Sequence, residues 1–516
     1  MKQNELAFPP LQNLFSAAAI RRKVSRLTKP VRLSSNAMPA VALSAFVSIL
    51  CLVSARASNW YVQPSAAGSN NGSSWSNAWS MASLNSNWAS VQPGDTVWLA
   101  GGTYTTGMHC TQSGAAGNVI SIMRPRTTDS VPTAAAGWNA SFDSQVIVDP
   151  GNSSDPVWWD TLNGGSYLTF DGRVDSGIRF YVDPSVTYSL PGAVAFRPGC
   201  GGQTNITFTN IDMAGPQPNS TQYNQAAYTS PLLVFTYNGS TYLTISNILI
   251  QNCRLHGGVD CVNSTGLINS TIQYSQLYDT SSTNSNFHSN FMELHNSGNI
   301  IFRYNNVHDW QVEGFFFLSP GPSGATTWSI YGNVFHDCSN VVGRFMELEG
   351  GNSGVNGPIF VYNNTFYNVP LAIFSGAGSS PGSYASSSSA ENNIFWECGG
   401  VFERWDGSHD YNYFGGGNVI EGSEAHGVSG AGASPFVQPT GDTTANFQIV
   451  GTVASNYPRN KGVALATDGF INLDMLGDVR GADGLWDIGA YEYTTTTVAP
   501  TPTPTPAPVQ NLRIGS

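Results

Sequence analysis

Six stretches decide the fold: IQNCRLHGG (250–258), IQYSQLYDT (272–280), FRYNNVHDW (302–310), IYGNVFHDC (330–338), FVYNNTFYNV (360–369) and AENNIFWEC (390–398). Each opens on a β-rich run, passes through polar residues that often include Asn, and reaches an apolar residue and a ring. An acid or amide follows the ring in most of them. Aligned on the rings, His256, Tyr278, His308, His336, Tyr367 and Trp396 stand 22, 30, 28, 31 and 29 residues apart. Periods of this length mark architectures built by stacking one unit on the next. The units are rich in Ile, Val, Phe, Tyr, Thr and Asn and are broken by Gly, Ser and Pro, with no apolar spacing of the helical kind, so each reads as a coil of short strands. A β-propeller would need about 40 residues per blade.

Stacked coils pair as parallel strands about 4.8 Å apart, so inward side chains form columns and bury a core that no single turn could. The predicted fold is therefore all-β, a right-handed parallel β-helix. Asn306, Asn333, Asn364 and Asn393, at spacings of 27, 31 and 29, are expected to form one column. Asparagine tolerates a left-handed turn, and its amide can bond the same residue one coil away.

The ends are of another kind. Arg21, Arg22, Lys23, Arg26, Lys29 and Arg32 precede an apolar run from Met38 to Val53, and Ala55-Arg56-Ala57 has the small-residue pattern of a cleavage site. Residues 1–57 are read as an export signal with an extended basic region. The apolar run of 16 residues falls short of the roughly 20 that a spanning helix needs. Without this segment 13 basic residues face 32 acidic ones, a formal net charge of −19, and Lys461 is the one remaining lysine. That balance excludes nucleic acid as a partner. At the other end, TTTTVAPTPTPTPAP (494–508) cannot join a sheet and reads as an extended tether, so residues 494–516 form a Thr/Pro-rich tail that suggests a module beyond it. The β-helix domain is placed at 58–493, acting outside the cell or at its surface as a monomer with no membrane span. Six cysteines remain in the exported part. An oxidising compartment permits disulfides, and Cys253 with Cys261 closes the shortest loop.

Two flanking segments carry a family likeness. WYVQPSAAGSNNGSSWSNAW (60–79) followed by VQPGDTVWLAGGTYT (91–105) resembles the opening of extracellular β-helix proteins of the pectate-lyase-like superfamily, and MLGDVRGADGLWDIGAYEY (475–493) resembles the DIGAYE-type close of many of them. The resemblance implies the β-helix and an extracellular setting. It leaves the activity open, because the superfamily contains lyases, hydrolases and epimerases. The paired-aspartate and His-Gly patterns of polygalacturonases and the Asp-Pro-His-Asp pattern of alginate epimerases are absent from this chain.

Chemistry is sought in a second column: FMELH (291–295), GFFFL (314–318), FMELE (345–349), LAIFS (371–375) and VFERW (401–405). Alternation along a strand turns Met292, Leu294, Met346 and Leu348 inward, and Phe291, Glu293, His295, Phe345, Glu347 and Glu349 outward. Glu293, Glu347 and Glu403 recur at 54 and 56 residues, two coils each. Two coil steps separate Glu293 from Glu347 by about 9–10 Å, at the upper edge of the about 6.5–9.5 Å that an inverting glycosidase keeps between acid and base. Glu347 and Glu293 are the expected catalytic pair, with His295 as an alternative base. Glu349, beside Glu347, would raise a pKa by like-charge repulsion. Glu349, Arg344, Glu403, Arg404, Trp405 and His336 are the expected sugar-binding residues, by ion pairing and stacking.

The ring column is expected to be a structural stack, because the slots of His308-Asp309 and His336-Asp337 also hold Tyr367-Asn368 and Trp396-Glu397. No cofactor is required and no zinc spacing is present. A calcium ion held by Glu347, Glu349 and Asp337 is an option, since hard oxygen ligands suit it. Three functions follow. The first is a polysaccharide hydrolase using the Glu pair. The second is a polysaccharide lyase using Arg303, Arg344 or Arg404 as base. The third is a non-catalytic carbohydrate-binding or adhesion protein.

Overall fold

The computed structural model describes residues 57–494 apart from 187–190, 217–228, 236, 239–240, 282–288, 318–326, 339–342, 349–354, 375–382, 385, 421, 431, 433, 439–443 and 466–470. Residues 1–56, which hold nearly all of the expected export signal, and nearly all of the Thr/Pro tail lie outside these residues. Three long sheets run through the structure. The first holds 12 strands from Asn59–Val62 to Ser408–Asp410, the second 12 from Gly102–Tyr104 to Val428–Gly430, and the third 11 from Met108–His109 to Val419–Ile420. One coil visits them in that order, as Ile245–Gln251, Arg254–His256 and Val262–Thr265, before Leu267–Gln273 opens the next. Each strand pairs in parallel with its counterpart one coil on. The chain is the right-handed parallel β-helix expected, in keeping with the handedness of parallel crossovers. Among the described residues no helix is long and apolar enough to cross a membrane.

The corner between the first and second sheets explains the repeat. Tyr274, Tyr304, Asn363, Asn392 and Tyr411 take positive φ of 51°, 56°, 49°, 59° and 55°, and the next residue carries the ladder. Gly332 (φ 67°) fills the same slot, where a Cβ would stand 2.6 Å from the Tyr304 ring. The ladder is Asn305–Asn333–Asn364–Asn393–Asn412: from Asn333 on, each Oδ1 accepts from the backbone N–H and the amide of the asparagine one coil earlier at 2.8–3.1 Å, and Asn305 Oδ1 accepts from the Ser275 N–H at 3.0 Å. Asn306 is not in it. It opens the next strand, paired with Val334, so the expected column was one residue out of register in that coil. The left-handed residue and the ladder residue are also neighbours rather than one residue with two roles.

A second left-handed corner follows the rings. Asp279, Asp309, Asp337, Asn368 and Glu397 have φ of 55°, 53°, 56°, 53° and 55°. This is why an acid or amide follows the ring: short polar side chains tolerate that conformation best. The rings themselves are in register from His256 to Trp396. His256–Tyr278, Tyr278–His308 and His308–His336 stack with centroids 4.6, 5.0 and 4.9 Å apart.

Inside, Phe335, Phe366, Phe395 and Phe414 stack at 5.1, 4.9 and 5.6 Å. Met292, Leu294 and Met346 point inward as expected. Phe291 and Phe345 do not face solvent: both are fully buried, against Phe302, Phe315 and Phe335 and against Phe315, Phe335 and Phe366 respectively. Each is the second residue of its strand and is followed by another core side chain, Met292 or Met346, so alternation fails at the start of the strand. All six cysteines are buried free thiols. Cys253 and Cys261 form no disulfide; their sulfurs face the backbone carbonyls of Phe208 and Gln251 and of Leu255. Burial pushes both thiols up, Cys253 to about 12.

The helix Met81–Asn87, capped by Ser80, closes the first coil with Met81 and Leu84 in the core. The PGD turn is held by Asp95, whose carboxylate accepts from the N–H of Ser58 and Gln92 and from Trp60 Nε1. At the C-terminal end, Phe436 and Phe447 pack over the ring column at Tyr367, and Phe447 also meets His336. Ile471 and Trp486 lie against Tyr304 and Tyr331 on the first sheet. Three buried carboxylates shape this last segment. Asp474 accepts from the N–H of Leu476, Asp478 and Glu492; Asp487 from Asn460 and Tyr493; Glu492 from Gly481 and Asp487. The Asp and Glu of DIGAYE are thus turn-making acceptors. Burial raises Asp487 to about 6 and Glu492 to about 7.

Candidate active site on the third sheet

Register places the predicted pair. Glu293 pairs with Phe316 and Phe316 with Glu347, so the two glutamates share one row, two strand spacings or about 9.5 Å apart. Glu293 Oε1 lies 2.9 Å from His295 Nε2. Asn290 Nδ2 donates weakly to Glu293 Oε2 at 3.5 Å. The Asn290 N–H and the Asn263 amide donate in turn to Asp260, at 3.0 and 3.1 Å.

Three residues upstream along the strands runs a parallel polar row in which Asn290 pairs with Glu313 and Glu313 with Arg344. Arg344 Nη1 is ion-paired with Glu347 and stands 3.8 Å from Glu313 Oε1. Contrary to expectation, Glu347 does not face solvent: it is 4% exposed, and Glu313 is 3% exposed. Burial first, then the charge of Glu347 and a hydrogen bond with it, push the Glu313 carboxyl up to about 9, against the pull of Arg344 and with a further push from Asp260. Two carboxyl groups that close do not both ionise in a dry site, so the pair keeps a proton at neutral pH.

The structure thus brings together Glu293, His295, Arg344 and Glu347, and adds Glu313 and Asp260. Glu313 escaped notice because the aligned stretch GFFFL begins one residue after it; counting three residues back from the Glu column in each coil reaches Asp260, Asn290, Glu313 and Arg344. Glu403 lies farther along, three residues after Gly400 in the row Arg344–Leu371–Gly400. Arg404 beside it is exposed. Trp405 is not an open platform: it packs against the core and donates to the Ser408 carbonyl at 3.3 Å. His336 is not a sugar-binding residue either. It belongs to the second sheet and is fully buried, held by Asp337 and Asn306 and by Phe447, and burial lowers its pKa. Glu349 lies outside the described residues. Asp337, bonded to His336 and Asn368, follows a strand of the second sheet and stands apart from Glu347 on the third. Among the described residues no group of three His, Cys, Asp or Glu is arranged to hold a metal ion.

No protein-family model matches this sequence, and no curated protein matches it. Solved structures do. The pectate lyase Pel9A is 15% identical with a TM-score of 0.45, covering 84% of this chain and 96% of its own. XylC in complex with xylose is 11% identical with a TM-score of 0.45, covering 84% and 98%. The alginate lyase from Paenibacillus sp. str. FPU-7 is 14% identical with a TM-score of 0.36, covering 60% and 97%. The chemistry of this chain rests on its own residues.

Proposed function

We propose that this chain is an exported enzyme that hydrolyses a polysaccharide at the outer face of the third sheet, with the Glu313–Glu347 pair as acid and Glu293 as base. The observation that carries the reading is the buried carboxyl pair of Glu313 and Glu347, where burial and the neighbouring charge push Glu313 up, with Glu347 two strand spacings from Glu293 in one row. In this scheme Glu293, oriented by His295, takes a proton from water. The water oxygen attacks the anomeric carbon, the glycosidic C–O bond breaks, and the departing oxygen takes the proton held by the acid pair. Attack from the face opposite the leaving group inverts the anomeric centre, as the wide separation favours. A role shared by Glu313 and Glu347 replaces the single acid expected at Glu347, because the proton belongs to the pair.

Arginine-based elimination is the weaker reading. Arg344 is engaged by Glu347 and stands beside Glu313, and Arg303 is buried on the first sheet against Gln273 and Tyr331. The test incubates the full chain with plant and algal polysaccharides while following reducing ends and the absorbance of unsaturated sugars. Reducing ends alone, lost in Glu293→Gln, are expected. Absorbance appearing with them means elimination and overturns the scheme, and silence across the panel leaves binding.

A further inference from the structure

The row that holds Glu293 and Glu347 does not begin with them. Reading it backwards, Glu293 pairs with Asn263, Asn263 with Leu233, Leu233 with Ala195, Ala195 with Trp158, and Trp158 with His109. Trp158 therefore sits on the same face as the glutamates, four strand spacings or about 19 Å from Glu293. The two places are separate, because Ala195 and Leu233 between them are closed off from solvent.

Around Trp158 lies an open concavity of about 350 Å3 lined by Ser153, Ser154, Asp155, Trp158 and Arg197. The indole is half-buried, and the His109 imidazole stacks on it with centroids 5.0 Å apart and planes within 6°. The next residue in the row is Ala195, which has no ring to continue the stack. His109 Nε2 is tied to Asp160 Oδ1 at 2.7 Å. Arg197 is ion-paired with Asp155, whose other oxygen accepts from the Gly192 N–H at 3.0 Å. Each polar group is thereby fixed in place while His109, Asp160 and Arg197 remain partly open to water.

We propose that this concavity is a secondary subsite for a neutral polysaccharide, with the Trp158 indole as the platform for a sugar ring and Asp160 and Arg197 bonding its hydroxyl groups. The proposal rests on the hydrolase reading for its polymer and on the Trp158 cluster for its place. An indole offers a flat apolar face of the size of a pyranose, and a few fixed polar groups beside an apolar surface are what orient a ligand in a pocket. The choice of a neutral sugar follows from charge. Two carboxylates flank the indole, Asp155 beside Arg197 and Asp160 beside His109, and Asp155 already neutralises the guanidinium, so a uronic acid would bring a third carboxylate among them.

The test is affinity electrophoresis of the full chain through gels cast with xylan, laminarin or hydroxyethyl cellulose, and separately with polygalacturonate or alginate. At least one neutral polymer is expected to retard the chain. Trp158→Ala should weaken that retardation about 10-fold, Trp158→Phe should restore most of it, and the thermal midpoints should stay together. Where hydrolysis is measured, Trp158→Ala should raise KM on polymer about 10-fold with kcat held, and leave KM unchanged on oligosaccharides too short to span about 19 Å. Glu293→Gln should keep full retardation, which separates failure of the subsite from failure of the hydrolase. No retardation by any neutral polymer, equal retardation of Trp158→Ala, or stronger retardation by the acidic polymers overturns the proposal.

Discussion

The ring column of the second sheet and the carboxylate row of the third are built alike, from side chains that repeat one or two coils apart, yet they reach different ends. Along the second sheet His256, Tyr278, His308 and His336 stack face to face, their polar atoms meet Asp212, Asp309, Asp337 and Asn306, and Phe447 covers the far end. Like residues at a stacking distance satisfy one another. Along the third sheet Asn290, Glu313 and Arg344 follow in one row and Glu293 and Glu347 in the next. Unlike residues at the same distance perturb one another, and one carboxyl keeps its proton. In a solenoid, then, repetition alone points to packing, and a break in the repetition points to chemistry.

The most forceful way to break this comparison is to remove the proton from the third sheet. Glu313→Gln keeps the shape and the neutral state of the buried carboxyl, so it should fold normally, while kcat on polymer falls by about 10³, within the range that general acid catalysis supplies. Residual activity should lose its alkaline limb near pH 9, since the limb reports the Glu313 group. The matched change on the second sheet, His336→Ala, should leave kcat of the folded enzyme within about twofold and cost only stability, as a core truncation does. A loss of kcat equal in the two variants would erase the distinction.

A second way is to interrupt a repetition that exists purely for packing. Asn364→Ala removes an amide that donates to the Ile330 carbonyl and to Asn393, and an oxygen that accepts from the backbone and amide of Asn333. Several buried groups lose partners at once, at about 1–3 kcal/mol for each that is left unsatisfied. The expected loss is about 3 kcal/mol in denaturant unfolding, with KM and kcat of the folded fraction unchanged.

These two outcomes also describe what was legible in the chain. The rings were placed in register from sequence because they close each unit at a fixed distance from a left-handed residue. The asparagine ladder was one position out at Asn306, where two asparagines stand side by side and only the backbone pairing with Val334 decides between them. Glu293 and Glu347 were legible through a repeated FMEL motif. Glu313 was not, because its coil reads VEGFFFL and the eye aligns the phenylalanines. Trp158 lay farther still from view: from Val157 to Val194 to Leu232 the coils lengthen to 37 and 38 residues, and long loops between short strands hide the period on which the alignment depends.

The smallest effect concerns pH and sets the third sheet beside the C-terminal segment. Glu313, Asp487 and Glu492 are raised by burial to about 9, about 6 and about 7, above the about 4 of free carboxyl groups. A carboxyl whose pKa is raised by folding contributes stability that is complete below its unfolded value and is lost as pH rises through its folded value. The thermal midpoint should therefore fall by a few degrees between pH 5 and pH 9, a shift that scanning calorimetry resolves. The fall has two parts that substitution separates. Each group lowers stability from about pH 4, where its unfolded form ionises, up to its folded value, so Asp487 stops contributing near pH 6 and Glu492 near pH 7, and Glu313 alone carries the fall from there to about pH 9. Glu313→Gln should abolish the upper part and make the lower part shallower without removing it, because the amide stays neutral at every pH. A midpoint that rises steadily from pH 5 to 9 would mean that these carboxyl groups are ionised at neutral pH, and would remove the proton on which the acid role of the Glu313–Glu347 pair depends.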